Sequence, residues 1–124
     1  MARIIRDDDI TIELIKNKTI AVIGYGSQGE AQAKNIRDSG IRTILGLRKD
    51  GASWKRAVED GFEVYEIGEA VRKGDIVMML LPDPAQPKVY EEHVAPNISK
   101  GSALVFAHAF NIYYRQIVPA TWLD

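Results

Sequence analysis

The amino-acid sequence predicts an α/β fold with one doubly wound parallel sheet of about five strands. Short apolar segments alternate with helical patterns along the chain, which is typical of consecutive βα units. Several of these segments are apolar at successive positions, so both faces of each strand should be covered by helices. The first apolar segment also leads through closely spaced glycines into a helix. With right-handed crossovers, the expected strand order is 3-2-1-4-5.

The strands are bounded by glycine, proline or charged residues. They are predicted at residues 19–23, 42–47, 62–65, 76–81 and 103–107. The segment at 76–81, IVMMLL, is the most apolar and should be a central strand. Ahead of the sheet, Ile4 and Ile5 predict a lead-in strand, and TIELIKN predicts a helical turn packed on the sheet edge. Between these two segments, Asp7–Asp9 is more typical of a solvated turn with a helix cap than of a cation site.

Helices are predicted between the strands. The first covers residues 28–39, the second ends at Gly61, the third covers residues 67–72, and prolines at 82, 84 and 87 begin a fourth that continues to about Val94. Buried faces are expected at Gly29, Ala33 and Ile36 in the first helix and at Trp54, Ala57 and Val58 in the second.

Three glycines join the first strand to the first helix with G-x-G-x-x-G spacing. In this context each glycine has its own physical role. Gly24 makes the tight turn, Gly26 lets the main chain approach a pyrophosphate, and Gly29 lets the helix pack closely on the strand. The N–H groups and positive dipole end of the helix would hold the phosphates. The pattern therefore favours a dinucleotide site of the Rossmann type over a plain glycine-rich turn.

Charged residues follow the second strand, where a Rossmann fold places the adenosine ribose. Arg48 favours a 2′-phosphate because its guanidinium pairs with phosphate, and Lys49 and Ser53 would add donors. Asp50 would instead accept a hydrogen bond from an unphosphorylated ribose and repel a phosphate. Alternatively, Asp50 and Gly51 form only a turn and Ser53 only an N-cap. The residues favour NADP, and NAD stays open.

Polar residues also follow the fourth and fifth strands. Pro82 and Asp83 would border the nicotinamide at the carboxyl edge of the sheet, or form only a turn and a cap. His108 follows the fifth strand and would act as an acid, a base or an orienting donor, or would only bond main-chain groups at the strand end. His93, on the preceding helix, is predicted to be a surface or packing residue. No paired carboxylates or metal-ligand cluster accompany His108, so the residues predict cofactor binding without a complete catalytic site.

The composition excludes several functional classes. A chain of 124 residues with 46% hydrophobic content suits one domain with a core and leaves no room for a second domain. Sixteen basic and seventeen acidic residues give a net charge of −1, which argues against a nucleic-acid partner. There is no cysteine, so disulfides and thiol chemistry are excluded. No signal peptide and no membrane span are predicted, and a cytoplasmic location is expected.

Six segments together resemble the N-terminal domain of the ketol-acid reductoisomerase family, also called acetohydroxy-acid isomeroreductase. They are KTIAVIGYGSQGEAQAKNIRDSG, ILGLRKDGASW, IVMMLLPD, VYEEHVAPNI, LVFAHAFNI and QIVP. GYGSQG followed by FAHxFN on a later βα unit is much more specific than the glycine spacing alone.

The resemblance implies a set of site residues. The pyrophosphate would be held by Gly24, Tyr25, Gly26, Ser27, Gln28 and Gly29. Arg48 and Ser53 would meet the 2′-phosphate end of NADPH, and Leu81, Pro82 and Asp83 would line the nicotinamide side. His108 would match the active-site histidine of the family. The implied reaction is a magnesium-dependent alkyl migration in an acetolactate-type 2-hydroxy-2-methyl-3-oxo acid, followed by reduction to a 2,3-dihydroxy acid in valine, leucine and isoleucine synthesis.

The chain departs from the family pattern at several positions. Glu30 and Tyr113 stand where histidine is usual, Ala109 where glycine is usual, Pro84 and Ala85 where Glu-Gln is common, and Asp50 where a phosphate-binding serine is common. A methyl group at Ala109 would crowd the main chain if that position needs a positive φ. The resemblance implies that the family sequence continues with further strands and an all-helical domain, which supplies the magnesium ligands and most of the subunit interface. Residues 1–124 are therefore expected to form an incomplete NAD(P)-binding domain without metal ligands or activity of its own. The alternative is a free-standing or redesigned dinucleotide-binding module without catalysis.

Overall fold

A computed structural model describes residues 2–124, which form a five-stranded, all-parallel sheet with helices between the strands. The strands are β1 (Thr19–Ile23), β2 (Arg42–Leu47), β3 (Glu63–Glu66), β4 (Ile76–Met79) and β5 (Ala103–Phe106). Their order is β3-β2-β1-β4-β5, which confirms the predicted topology. Because the strands are parallel, their carboxyl ends meet at one edge of the sheet. Gly24, Arg48, Leu81 and His108 all follow strands at this edge.

Helices connect successive strands, as the alternating pattern predicts. They are α1 (Ser27–Asp38), α2 (Ala52–Glu59), α3 (Ile67–Lys73), α4 (Gln86–Val89) and, after β5, α5 (Phe110–Tyr113). A 3₁₀ turn, Asp83–Ala85, precedes α4, and a π-helical segment, Tyr90–Val94, continues it, so the predicted fourth helix does reach Val94. None of the helices within residues 2–124 is long and apolar enough to cross a membrane.

The core lies in two layers, one on each face of the sheet. Successive residues of β1 are all buried, and they alternate between the layers because side chains along a strand point to opposite faces. Ile20 and Val22 pack with Ala33 of α1 and Ala57 of α2. Ala21 and Ile23 pack on the other side with residues of α3. Helices on both faces explain why the strand segments lack a polar face.

Several sequence predictions about local structure are wrong. Ile4 and Ile5 form no strand and are 75% and 66% exposed. The segment after them contains two 3₁₀ turns, Asp7–Asp9 and Ile12–Leu14, and only Ile15 packs against the core. In α2, Val58 is 52% exposed and does not belong to the buried face. Ile4 and Ile5 pair with none of the five strands of the sheet, and the sequence pattern alone does not show this.

The bounds of three strands also differ from the predicted ones. β3 begins at Glu63 and ends at Glu66, one residue later than predicted at both ends. β4 ends at Met79, although the Leu80 N–H still donates to the Ile23 carbonyl oxygen at 2.9 Å. β5 ends at Phe106 and is an edge strand, so its residues are only partly buried and Val105 is exposed. The short helix α5 after His108 was not predicted.

Candidate functional site

The three glycines of the first βα turn lie in three different environments. Gly24 has a φ of +105°, and a Cβ there would lie 2.9 Å from the Leu80 carbonyl oxygen. A Cβ on Gly29 would lie 2.5 Å from the Gly24 carbonyl oxygen, so glycine is what allows α1 to pack against the turn. Around Gly26, whose φ is −74°, a Cβ would meet no described atom within 4 Å. The fold therefore needs Gly24 and Gly29, whereas Gly26 faces open space.

The open space at Gly26 adjoins the N-terminus of α1. Gly26 is the N-cap residue, and its carbonyl oxygen accepts the Glu30 N–H at 2.8 Å. Within the described residues no side chain caps this end, and Gly26, Ser27 and Gln28 are exposed. The first N–H groups of a helix have no partner inside the helix and carry its partial positive charge. An anionic group such as a pyrophosphate suits this position.

A long cleft runs from the glycine turn along the carboxyl edge of the sheet. One cavity of about 770 Å³ is lined by the glycine turn, the end of β2, the loop after β4 and α4. A second cavity of about 630 Å³ adjoins it between the β2–α2 loop, the start of α3 and the segment around Asn97. Arg48 and His93 line both cavities. Together they provide an elongated site that suits a dinucleotide, with His93 on its wall rather than only on the surface.

The residues after β2 are divided between the two cavities. Arg48, Lys49 and Asp50 are exposed, and Lys49 and Asp50 line the 630 Å³ cavity. Ser53 lines the 770 Å³ cavity. The N-cap of α2 is Gly51 and not Ser53, so the alternative role considered for Ser53 is wrong. The Gly51 N–H donates to the Arg48 carbonyl oxygen at 3.1 Å, and this turn places a cation and a carboxylate at the same end of the cleft.

The side chain of Tyr25 lies in the core, behind the glycine turn. It is 2% exposed and packs edge-on against Phe62. Its hydroxyl donates to the Asp60 carboxylate at 2.6 Å. Burial, together with this hydrogen bond, raises the pKa of the Tyr25 hydroxyl, and the same bond lowers the pKa of Asp60. Only the main chain of Tyr25 is therefore available to a pyrophosphate.

Charged side chains of α1, and of α2 and its C-cap, also stabilise the glycine turn. This group, which we call the brace, consists of Glu30, Lys34, Arg56 and Asp60. The Arg56 guanidinium donates to the Tyr25 carbonyl oxygen and lies 3.6 Å from the Glu30 carboxylate. Lys34 pairs with Glu30 at 2.7 Å and with Asp60 at 3.4 Å. Glu30, which stands where the family usually has histidine, thus connects α1 to Arg56 of α2.

The loops after β4 and β5 meet at the other end of the glycine turn. Residues 81–83 and His108 line a cavity of about 270 Å³ together with Gly26, Ser27 and Gln28. The His108 ring is exposed, and its Nδ1 accepts the Phe110 N–H at 3.2 Å, so the neutral ring carries its proton on Nε2. Nδ1 also lies 3.8 Å from the Asp83 carboxylate. His108 is thus both bonded to the main chain and open to a ligand.

Ala109, next to His108, is not strained. Its φ is −80°, so the crowding expected for a positive φ does not arise. Two residues further on, Asn111 is almost fully buried and contacts Gln86 of α4.

Comparison with known proteins identifies the family. Residues 14–124 match the family model described as "Acetohydroxy acid isomeroreductase, NADPH-binding domain". The chain belongs to this family. Among curated ketol-acid reductoisomerases (NADP(+)), it is 58% identical to that of Pyrococcus abyssi and 57% identical to that of Pyrobaculum calidifontis, over all 124 residues. The chain spans 37% and 38% of the length of these two relatives.

Solved structures agree with this assignment. A structure described as an NADH-preferring ketol-acid reductoisomerase from an uncultured archaean matches with a TM-score of 0.93 and 44% identity, over 98% of this chain and 38% of that one. A semialdehyde dehydrogenase NAD-binding protein from Cupriavidus necator matches with a TM-score of 0.73 and 22% identity, over 86% of this chain and 39% of that one, and shows the fold alone. The curated relatives are named for NADP(+) and the solved structure for NADH. The residues after β2, where the two cofactors would differ, therefore bear on the choice of cofactor.

Sequence reasoning missed several residues that support the glycine turn and the loop after β4. They are Arg56, Asp60, Gln86 and Asn111. The Gln86–Leu81 bond spans five residues, whereas the other contacts join residues at least 25 positions apart. Only the i,i+4 spacing of Glu30 and Lys34 gave any signal of these contacts in the sequence. Within residues 2–124, no three His, Asp or Glu side chains are grouped to hold a metal ion.

Proposed function

We propose that this chain binds NADPH along the cleft and is the cofactor-binding part of a ketol-acid reductoisomerase. The observation that carries the proposal is the open space at Gly26, beside an uncapped helix N-terminus and at the head of a 770 Å³ cavity. A Cβ would enter this space without touching the protein, which is what a site reserved for a ligand requires. The matching family model is itself described as an NADPH-binding domain.

The pyrophosphate would lie on the glycine turn. The main chain of Gly26, Ser27 and Gln28 offers N–H groups at the start of α1. Gly24 and Gly29 keep the turn tight, and Tyr25 contributes its main chain while its side chain anchors the turn in the core. Arg56 and Asp60 hold this arrangement in place before the ligand arrives.

The adenosine end would lie beside the β2–α2 loop. Arg48 lines both cavities and is placed to pair with a 2′-phosphate, with Lys49 and Ser53 as further donors. Asp50 opposes a phosphate and favours a ribose hydroxyl. The cations outnumber the carboxylate in this loop, which supports NADPH over NADH.

The nicotinamide end would lie between residues 81–83 and His108. When bound, NADPH supplies a hydride to the substrate carbonyl carbon. His108 is exposed beside this cavity and would hold or donate a proton at Nε2. The Asp83 carboxylate lies 3.8 Å from Nδ1, the ring nitrogen that accepts the Phe110 N–H.

The complete enzyme would convert acetolactate-type 2-hydroxy-2-methyl-3-oxo acids to 2,3-dihydroxy acids. Residues 2–124 offer no cluster of metal ligands, so no step through magnesium is assigned to this chain. The magnesium and substrate ligands, and the oligomer interface, would come from the part of the family sequence outside the 37–38% that this chain spans. A cytoplasmic location and the absence of a nucleic-acid partner stay predictions.

Complementation in trans tests the proposal. The purified chain is mixed with NADPH, Mg²⁺ and acetolactate, alone and together with the C-terminal remainder of the Pyrococcus abyssi relative. We expect NADPH oxidation only in the mixture of both polypeptides, and slower oxidation at limiting NADPH when the chain carries Gly26→Ala. NADPH binding without restored oxidation would instead favour a dinucleotide-binding module without catalysis. Turnover by the chain alone would refute the incomplete-site proposal.

A further inference from the structure

Two buried amide side chains join the loop after β4 to the helix after β5. Gln86 is 4% exposed and Asn111 is 1% exposed. A buried amide is costly unless its N–H and C=O groups are bonded. Neither side chain is needed to fill an apolar core, and the proposed chemistry uses neither. Their partners therefore indicate what they do.

The two amides form one continuous chain of hydrogen bonds. Gln86 Nε2 donates to the Leu81 carbonyl oxygen at 2.7 Å. Asn111 Nδ2 donates to the Asp83 carbonyl oxygen at 3.0 Å and to Gln86 Oε1 at 3.1 Å. Both main-chain oxygens flank Pro82. The bonds therefore hold the loop on either side of that proline.

This loop has few other fixed points. β4 ends at Met79, and Pro82 and Pro84 have no N–H to donate. In contrast, Asn111 is fixed in α5, only three residues after His108. The Asn111 bond to Asp83 therefore helps to set the 3.8 Å separation between the Asp83 carboxylate and His108 Nδ1.

We propose that Gln86 and Asn111 are positioning residues that fix residues 81–83 against the His108 loop, in the register that the nicotinamide end of the cofactor requires. The inference rests on the proposed NADPH site. It makes a specific claim about one end of the ligand, because neither residue lines the two cavities that would hold the adenosine end. A variant of Asn111 should therefore affect ligands with and without a nicotinamide differently.

The experiment compares NADPH with 2′-phospho-ADP-ribose, which has the same phosphates but no nicotinamide. With Asn111→Ala, we expect NADPH to bind about tenfold more weakly, which corresponds to the loss of one or two hydrogen bonds. The affinity for 2′-phospho-ADP-ribose should stay within about twofold of that of the unmodified chain. Thr43→Val is the matched control: Thr43 is buried and donates to a main-chain oxygen, that of Ile41, at the opposite edge of the sheet. It should leave the ratio of the two affinities unchanged. Equal losses for both ligands, or no loss for either, would overturn the proposal.

A second measurement needs no ligand. The Ala85 N–H donates to the Pro82 carbonyl oxygen within the loop, and the Leu80 N–H donates into the sheet. We expect Asn111→Ala to accelerate hydrogen exchange at Ala85 by about tenfold while the rate at Leu80 stays within about twofold. Unchanged exchange at Ala85 would overturn the positioning role. If the unmodified chain binds neither ligand, the proposed function fails, and exchange still decides whether the amides hold the loop.

Discussion

Replacing Gly29 and Gly26 in turn separates the packing role of one glycine from the ligand role of the other. A Cβ at Gly29 would lie 2.5 Å from the Gly24 carbonyl oxygen and 3.0 Å from its carbon. Both atoms belong to the main chain of a turn that cannot swing aside. α1 would have to shift away from β1 to accept the methyl group. A Cβ at Gly26 meets nothing, and its φ of −74° suits alanine.

The size of the Gly29→Ala effect follows from two opposing terms. Overpacking costs about 1–3 kcal/mol, and a rigid main-chain neighbour indicates the upper end. Alanine in place of glycine inside a helix stabilises by about 1 kcal/mol. The expected net loss in unfolding free energy is about 2 kcal/mol. With an unfolding entropy of about 2.1 cal/mol/K per residue over this chain, the melting temperature should fall by about 8 °C.

Thermal unfolding followed by circular dichroism measures the difference. Gly26→Ala should change the melting temperature by less than about 2 °C, because a weaker N-cap offsets the reduced freedom of the unfolded chain. Both variants should bind NADPH at least about tenfold more weakly. Gly29→Ala would displace the glycine turn, whereas the methyl group of Gly26→Ala would occupy the space proposed for the pyrophosphate. Equal melting temperatures for the two variants would refute the assignment of separate roles.

Two further substitutions test the adenosine end and the brace. Arg48→Gln should weaken NADPH binding by about tenfold or more and change NADH binding by less than about twofold, because only NADPH has the 2′-phosphate. Equal losses of affinity for the two cofactors in calorimetric titration would contradict this role of Arg48. The Tyr25 hydrogen bond lowers the pKa of Asp60 in the folded state, so the ionised carboxylate stabilises the fold. This contribution is complete above the ordinary aspartate pKa of about 3.9 and is lost as the pH falls through the folded-state pKa. Asp60→Asn should therefore be less stable than the unmodified chain at pH 7 and lose less stability between about pH 4 and pH 2. If urea denaturation gives the same dependence of stability on pH for Asp60→Asn and for the unmodified chain, the role assigned to the Asp60 carboxylate is wrong.

The strand order was predictable because it depends on local patterns. The buried runs of β1, β2 and β4 and the glycines after β1 are contiguous in sequence, and handedness then restricts the topology. The tight turn at Gly24 and the close packing at Gly29 are those that the spacing predicts, and the pyrophosphate contact at Gly26 stays a prediction.

The remaining features depend on contacts between distant segments. The sequence indicated that Tyr25 belongs to the glycine turn but not that its side chain turns into the core, because Asp60 and Phe62 lie 35 and 37 positions later. Gln86 and Asn111 interrupt no apolar period, so their burial shows only in the folded chain. Ile4 and Ile5 have strand propensity, but they pair with none of the five strands and stay exposed.

Calorimetric titration of the purified chain with NADPH and, separately, with NADH at fixed salt tests the central claim most directly. The cleft predicts one site, tighter binding of NADPH than of NADH, and binding of both cofactors at least about tenfold weaker in the Gly26→Ala variant. Preference for NADH would shift the ribose contact from Arg48 to Asp50. Binding of neither cofactor, or equal binding by Gly26→Ala, would contradict the proposal that the glycine turn holds a dinucleotide.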